Sequence, residues 1–421
     1  MTAPEQGSTY FRKGFGLKGE VEGTLAADYD GSLVDLLREH DHTLTVQDVT
    51  VRLAREFGFC YGVERAVDYA YQTRRKFPDR RILLVGEIIH NPHVNRRLGE
   101  MGIEILVPGQ DADGKPVFDY AGVTPADVVI LPAFGVTIRD FETLRELGCV
   151  VVDTTCGSVL NVWKRVDSYA RDGFTALIHG KHYHEETRAT ASQVERYAGG
   201  AYLVVRDMSE AQMVCAYIEG RSSREEFLAR FSRAASPGFE PDTHLRRIGV
   251  ANQTTMLARE SLAIGEEVGR AMERRYGSAY RQENFRTFDT ICSATQDRQD
   301  AVVELLREPI DVMVVIGGYN SSNTISLAAL CAEKVPTYHI EDATSIDPVG
   351  RRVVFRPAGI KHSEAAATEW IPTVGPVRIG LTAGASTPNN KIAETVTRIF
   401  ATRGIDVRDA VRLEREPVPE R

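Results

Sequence analysis

One local pattern recurs along this chain: an apolar run, a polar or glycine-rich turn, and then a segment whose apolar residues have helical spacing. Runs with strand character fall at 49–54, 81–86, 127–132, 149–153, 174–178, 201–205, 247–251, 311–316, 336–340 and 376–381, with helical patterns between most of them. Strands that alternate with helices predict an α/β fold of mostly parallel sheets covered on both faces. The pattern divides the chain into an N-terminal extension at 1–48, a first α/β unit at 49–148, a second at 149–285, a third at 286–405 and a tail at 406–421. The extension is glycine-rich and polar, has one helical stretch near Ser32-Leu33-Val34-Asp35-Leu36-Leu37, and is expected to pack on the main body. Residues 219–247 break the rhythm with charge and Ser236-Pro237-Gly238, and read as a helical surface insertion. The tail from Arg412 is charged, carries two prolines and is expected to fray.

Bulk properties exclude several classes. A net charge of −8 argues against a nucleic-acid binder. No apolar stretch approaches the ~18 residues that span a membrane. The N-terminus has neither a basic-then-apolar signal nor the Arg/Ser-rich composition of a transit peptide. Six cysteines in 421 residues do not make a disulfide framework, so a reducing, cytoplasmic setting is expected.

Three of those cysteines occupy equivalent places. Cys60 follows Thr50-Val51-Arg52-Leu53-Ala54, Cys156 follows Cys149-Val150-Val151-Val152-Asp153, and each opens a helical pattern. Cys292 precedes Ser293-Ala294-Thr295-Gln296, which runs into another. A thiol at a helix N-terminus is pushed toward thiolate, the form that binds soft metals. One such thiol in each of three units reads as a three-thiolate iron–sulfur site with one iron left open. Free cysteine also commonly fills space; Cys149, Cys215 and Cys331, inside apolar patterns, read that way.

Polar motifs gather at strand ends, where open parallel sheets bind ligands. They are Glu87-Ile88-Ile89-His90-Asn91-Pro92, Ala133-Phe134-Gly135, His179-Gly180-Lys181-His182-Tyr183-His184-Glu185-Glu186, Gln253-Thr254-Thr255, Asn320-Ser321-Ser322-Asn323 and Gly384-Ala385-Ser386. Small and hydroxyl residues at helix N-termini bind phosphate, although Ser and Asn serve equally as plain caps. His182, His184 and Glu186 could form a zinc hydrolase site, but the H-E-x-x-H arrangement is missing. The cysteines alone would also suit a non-enzymatic iron–sulfur carrier or redox sensor, which would leave the phosphate-type loops unexplained.

Taken together and in order, these motifs resemble the LytB-type 4-hydroxy-3-methylbut-2-enyl diphosphate reductases, the terminal enzymes of the non-mevalonate isoprenoid pathway. Gly58-Phe59-Cys60-Tyr61-Gly62-Val63-Glu64-Arg65-Ala66, Asp153-Thr154-Thr155-Cys156, His184-Glu185-Glu186-Thr187 and Ile291-Cys292-Ser293-Ala294-Thr295 carry the likeness along with the loops above, from about Val51 to about Phe400. The extension, the Ile178-His179-Gly180-Lys181 form and the insertion look like the plant and cyanobacterial branch, and within that likeness the lack of transit-peptide composition implies a bacterial source.

The resemblance implies three related α/β units around a central 4Fe-4S cluster held by Cys60, Cys156 and Cys292. It implies that His90, His184, Ser321, Ser322, Asn323 and Ser386 hold an allylic diphosphate, and that Glu186 delivers protons with help from Thr254, which also contacts substrate. Two electrons, expected from ferredoxin or flavodoxin, and two protons would remove water and yield isopentenyl and dimethylallyl diphosphate. Two departures stand out. Phe134 occupies a position where many members have a diphosphate-contacting histidine, and Gly157-Ser158 follows Cys156 where proline is usual.

Overall fold

In the computed structural model, residues 9–111, 116–360 and 363–407 are described, and they fall into two compact units. The first comprises Met1–Lys18, Arg65–Ile89 and Val94–Cys292; the second comprises Gly19–Glu64, His90–His93 and Ser293–Arg421.

The first unit holds two parallel sheets. One has the order Tyr10–Phe11, Val150–Asp153, Val128–Leu131, Ile82–Val85, Ile103–Leu106. Its three central strands are buried at every residue, as expected of strands covered on both faces. The other has the order Tyr202–Val205, Thr175–His179, Ile248–Asn252, Phe285–Thr287. Helix Gly157–Arg171 lays Val162, Val166 and Tyr169 against Ala176, Ile178 and Ala251 of this sheet. The Tyr169 hydroxyl donates to the Val250 carbonyl at 3.0 Å, and a Cβ at Gly249 would stand 2.5 Å from the Tyr169 ring. Close packing there requires glycine. Helices Met208–Ile218 and Ala258–Tyr276 supply Val214, Ile264, Val268 and Ala271 to a second core on this sheet.

Segment 219–247 is more than a surface insertion. It contains helices Arg224–Phe231 and Pro241–His244, and it buries Phe227, Phe231 and Phe239 in that second core. Val204 N–H donates to the Ala234 carbonyl (2.8 Å) and Ser236 N–H to that of Tyr202 (3.0 Å), so the segment also covers the edge of strand Tyr202–Val205. An uncovered edge would offer unpaired backbone groups to other chains. The aromatic residues were masked in the sequence by the charges around them.

The second unit has a sheet of order Thr337–Ile340, Val312–Ile316, Val377–Ala383, Val49–Leu53, Thr43–Val46, parallel except for the last pair. Its core includes Val51, Leu53, Val314, Ile316, Ile379 and Leu381. A small antiparallel sheet, Ile346–Asp347, Arg352–Phe355 and Ala365–Thr368, completes it.

All ten expected strands are present within a residue or two of their expected bounds. Their grouping differs from the boundaries at 149 and 286. Val49–Leu53 pairs with Val377–Ala383, and Val150–Asp153 pairs with Val128–Leu131. Local pattern identifies a strand, but long-range pairing chooses its sheet. The fold is α/β with three mostly parallel sheets, and each sheet still leads to one of the three cysteines. Cys60 follows a strand of the second unit, Cys156 the first sheet of the first unit, and Cys292 the second sheet of that unit.

The N-terminal extension is integral to the fold. Tyr10–Phe11 joins the first sheet beside Val151 and Val152. Helix Ser32–Glu39 buries Val34, Leu36 and Leu37, and Thr43–Val46 pairs antiparallel with Val49–Leu53. The tail from Arg412 lies outside the described residues. Among those described, no helix is long and apolar enough to cross a membrane.

Candidate active site

In the first unit, Cys156 is the N-cap of helix Gly157–Arg171, with an extended backbone (φ −61°, ψ 142°). Its N–H donates to the Ala133 carbonyl at 2.9 Å. The turn before it is fixed from both sides. The Asp153 carboxylate accepts the Thr155 N–H at 2.9 Å and the Tyr10 hydroxyl at 2.5 Å. The Arg65 guanidinium donates to the carbonyls of Thr154 (3.3 Å) and Thr155 (2.5 Å). These bonds hold the junction that has Gly157 in place of the usual proline.

Cys292 connects directly to the expected acid. Its N–H donates to the Thr254 carbonyl at 3.2 Å. Thr254 in turn donates its own N–H to Glu186 Oε1 at 2.6 Å and its hydroxyl to Oε2 at 3.0 Å. Glu186 is 1% exposed. Its N–H donates to Nδ1 of His184, the N-cap of helix Glu185–Ala191, at 3.2 Å. With Nδ1 accepting, the neutral imidazole carries its proton on Nε2 and can donate it to an anion. Phe134, expected to leave a donor missing, is half-buried and meets the His184 ring edge-on at 5.6 Å. It therefore orients a donor, which it cannot replace.

In the second unit, Cys60 N–H donates to the Ala385 carbonyl (3.2 Å), and the Cys60 carbonyl accepts from Glu64 N–H (2.9 Å) at the start of helix Tyr61–Lys76. His90 is held by two of the phosphate-type loops. The Asn320 amide lies 3.3 Å from His90 Nδ1, and the Ser386 hydroxyl donates to the His90 carbonyl at 3.1 Å. Ser321 caps helix Ser322–Ala332, its Oγ accepting from Thr324 N–H (3.4 Å). Asn323 accepts the Ala385 N–H (2.9 Å) and donates to Thr295 Oγ1 (3.4 Å). Ser321, Ser322, Asn323 and Ser386 are all buried. The capping role of Ser321 is real, and it leaves the hydroxyl proton available to a ligand.

The remaining cysteines behave differently. Cys60, Cys156 and Cys292 are partly exposed, whereas Cys149, Cys215 and Cys331 are buried. Burial raises the Cys149 thiol above its ordinary value and pushes those of Cys215 and Cys331 up to about 12. Such thiols stay protonated and are poor metal ligands. His179 is also structural. It lies in strand Thr175–His179 with Nδ1 2.7 Å from the Ser261 hydroxyl, and burial pushes it down to about 4. Among the described residues, His182, His184 and Glu186 do not come within ligand distance of one point. His182 packs on Tyr183, and Glu186 is engaged by Thr254. The zinc reading has no geometric support.

Asn320, read from sequence only as part of its motif and without a role of its own, contacts His90, and Arg298, whose guanidinium donates to the Gly58 carbonyl at 2.7 Å, was not singled out from sequence at all. A signal for the second was available. Arg298 shares a helical stripe with the buried Ala301, Val302 and Leu305, where an arginine is unexpected.

These features define an α/β protein with three partly exposed thiols at strand-to-helix junctions and a buried carboxylate braced by Thr254. The chain belongs to the family described as LytB protein, whose sequence model matches residues 51–400. A 4-hydroxy-3-methylbut-2-enyl diphosphate reductase of Thermosynechococcus vestitus is 47% identical over 397 residues, 94% of this chain and 95% of that protein. The reductase of that name from Gloeobacter violaceus is 47% identical over 415 residues, 98% of this chain and 97% of its own length. A solved (E)-4-hydroxy-3-methyl-but-2-enyl diphosphate reductase, described as the terminal enzyme of the non-mevalonate pathway, is similar with TM-score 0.50 and 27% identity, covering 84% of this chain and 99% of its own. The reductase from Plasmodium falciparum shares the fold, with TM-score 0.59, 19% identity and coverage of 83% and 87%.

Proposed function

We propose that this chain reduces 4-hydroxy-3-methylbut-2-enyl diphosphate to isopentenyl and dimethylallyl diphosphate, the last step of the non-mevalonate pathway. The family and its named relatives support this reading. The reaction consumes two electrons and two protons, breaks the allylic C–O bond and releases water. Carrier-only and zinc-hydrolase readings leave the joined Glu186, Thr254 and Cys292 without a purpose.

The donor set fits a 4Fe-4S cluster. Three half-buried thiols lie at strand-to-helix junctions, while the other three are buried and held protonated. Cys60, Cys156 and Cys292 would hold the cluster, which supplies single electrons and an open iron as Lewis acid.

The observation that carries the mechanism is the link from Glu186 through Thr254 to Cys292. Both Glu186 oxygens accept from Thr254, an arrangement that suits the carboxylate. A protonated Glu186 can instead donate to Thr254 Oγ, whose own proton then turns toward the substrate. The same 3.0 Å contact serves both protonation states. Thr254 is thus a relay and a substrate contact, and Glu186 the acid that protonates the departing oxygen.

The diphosphate is held by His90, His184, Ser321, Ser322, Asn323 and Ser386. Imidazole N–H groups, hydroxyls and the N-terminus of helix Ser322–Ala332 supply the donors that a magnesium ion would otherwise replace. Ser386 must rotate its hydroxyl away from the His90 carbonyl to join them. The electron donor is a ferredoxin or flavodoxin. The setting is a bacterial cytoplasm, consistent with six cysteines that form no disulfide.

Glu186→Gln tests the mechanism. The variant is expected to keep its iron and still bind substrate, while turnover falls by roughly 10²–10⁴-fold, the range for a general acid. Near-normal turnover would reduce Glu186 to a helix-start acid, and lost iron would assign it a structural role.

A further inference from the structure

Arg298 is an anomaly in the second unit. It is only 4% exposed, yet no carboxylate among the described residues pairs with it. It donates instead to three carbonyls: Gly58 at 2.7 Å, Phe57 at 3.5 Å and Ala294 at 2.8 Å, and its Nε has no partner. A guanidinium does not shed its proton in a protein. A buried positive charge without an acid is costly, and such charges are ordinarily paired. The carbonyl dipoles orient this cation but do not neutralise it. Two of the three lie in the loop Phe57-Gly58-Phe59-Cys60, so the charge is tied to the backbone immediately before a proposed cluster ligand. This contrasts with the arginines of helix Ala258–Tyr276, where Arg270 and Arg274 meet Glu266, Glu219 and Glu267.

We infer that Arg298 is a positioning and charge-balancing residue for the iron–sulfur cluster: its guanidinium holds the Cys60 loop and raises the cluster's reduction potential. The inference rests on the cluster reading given above. A cluster bound by three thiolates carries net negative charge and gains another on reduction. A cation fixed on the loop that carries one of its ligands would stabilise the reduced form more than the oxidised one, because cluster potentials respond to local charge. A bound cluster would give the buried charge its counter-ion, which would resolve the anomaly.

The test compares Arg298→Gln, which removes the charge, with Arg298→Lys, which keeps it but loses the forked geometry. Wild type and variants are loaded with cluster anaerobically, iron per chain is measured, and midpoint potentials are titrated spectroscopically. Arg298→Gln is expected to shift the potential to more negative values by at least a tenfold drop in the one-electron reduction constant, ~59 mV. Arg298→Lys should stay near wild type. A fully loaded Gln variant with an unchanged potential would overturn the inference, as would equal shifts in both variants. If the Gln variant holds no iron, the Lys variant decides: retained iron at a near-native potential supports a role for charge, and equal loss of iron reduces Arg298 to a loop staple. A wild-type protein that takes up no cluster would overturn the underlying reading before any variant is compared.

Discussion

His90 and Phe134 have different parts in the proposed diphosphate site. His90 is gripped through its ring by Asn320 and through its carbonyl by Ser386, so its imidazole is fixed in direction. A hydrogen bond to a charged group contributes ~1.5–3 kcal/mol. His90→Ala should therefore raise the substrate dissociation constant at least about tenfold while iron content stays unchanged. Phe134→Ala should cost less, because it removes only the edge that steadies His184. Equilibrium binding to both proteins checks the order, and a larger loss in the Phe134 variant would mean that the diphosphate is misplaced. A different residue-scale effect governs acid stability. Burial pushes both His179 and His339 down to about 4 in the folded state, from 6.5. The unfolded chain then binds more protons between those values. The stabilisation from each neutral ring is complete above about pH 6.5 and is lost as the pH falls toward about 4, amounting to as much as ~3 kcal/mol per ring. Denaturant unfolding across that range should give a shallower pH dependence for His179→Gln than for wild type. An equally steep curve would show that His179 does not carry the effect.

At the scale of elements, the turns that present functional residues are braced by close packing of the helices behind them. Gly135 has φ +73°, and a Cβ there would collide with the Trp163 indole of helix Gly157–Arg171. Gly135→Ala should destabilise the protein by at least ~2 kcal/mol, from left-handed backbone and overpacking together. It should also lower iron retention, because the adjoining Ala133 carbonyl anchors the Cys156 N–H. Denaturation midpoints and iron assays check this, and a variant normal in both would contradict it. The elements themselves were legible because unbroken apolar runs such as Val128-Val129-Ile130-Leu131 have one use in an alternating α/β chain. Strand Phe285–Thr287 was not legible, since it is short, half-exposed and carries Arg286. The packing of Phe227, Phe231 and Phe239 was hidden for the opposite reason: apolar anchors spaced among many charges read as a solvated surface.

Across the whole molecule, the site was more legible than the architecture that builds it. Cys60, Cys156, Cys292, Glu186 and Thr254 stand in compact local motifs, so sequence alone could put them forward as candidates. The pairing of Val49–Leu53 with Val377–Ala383 depends on contacts across the length of the chain, and no local pattern encodes it. The contacts of Arg298 with Gly58 and of Asn320 with His90 are distant in sequence and were visible only once the chain was folded. The proposed assignment of ligands has a direct check at this scale. Alanine at Cys60, Cys156 or Cys292 should lower iron and sulfide content, and alanine at Cys149, Cys215 or Cys331 should not. Full cluster content in any of the first three variants would remove that cysteine from the set. The central claim concerns the reaction. The decisive measurement is anaerobic turnover of 4-hydroxy-3-methylbut-2-enyl diphosphate by the purified protein with a one-electron reductant, with products and consumed electrons counted. The predicted result is isopentenyl and dimethylallyl diphosphate at two electrons per product, in proportion to bound iron. An iron-loaded protein that forms neither product, or equal turnover by protein stripped of iron, would contradict it.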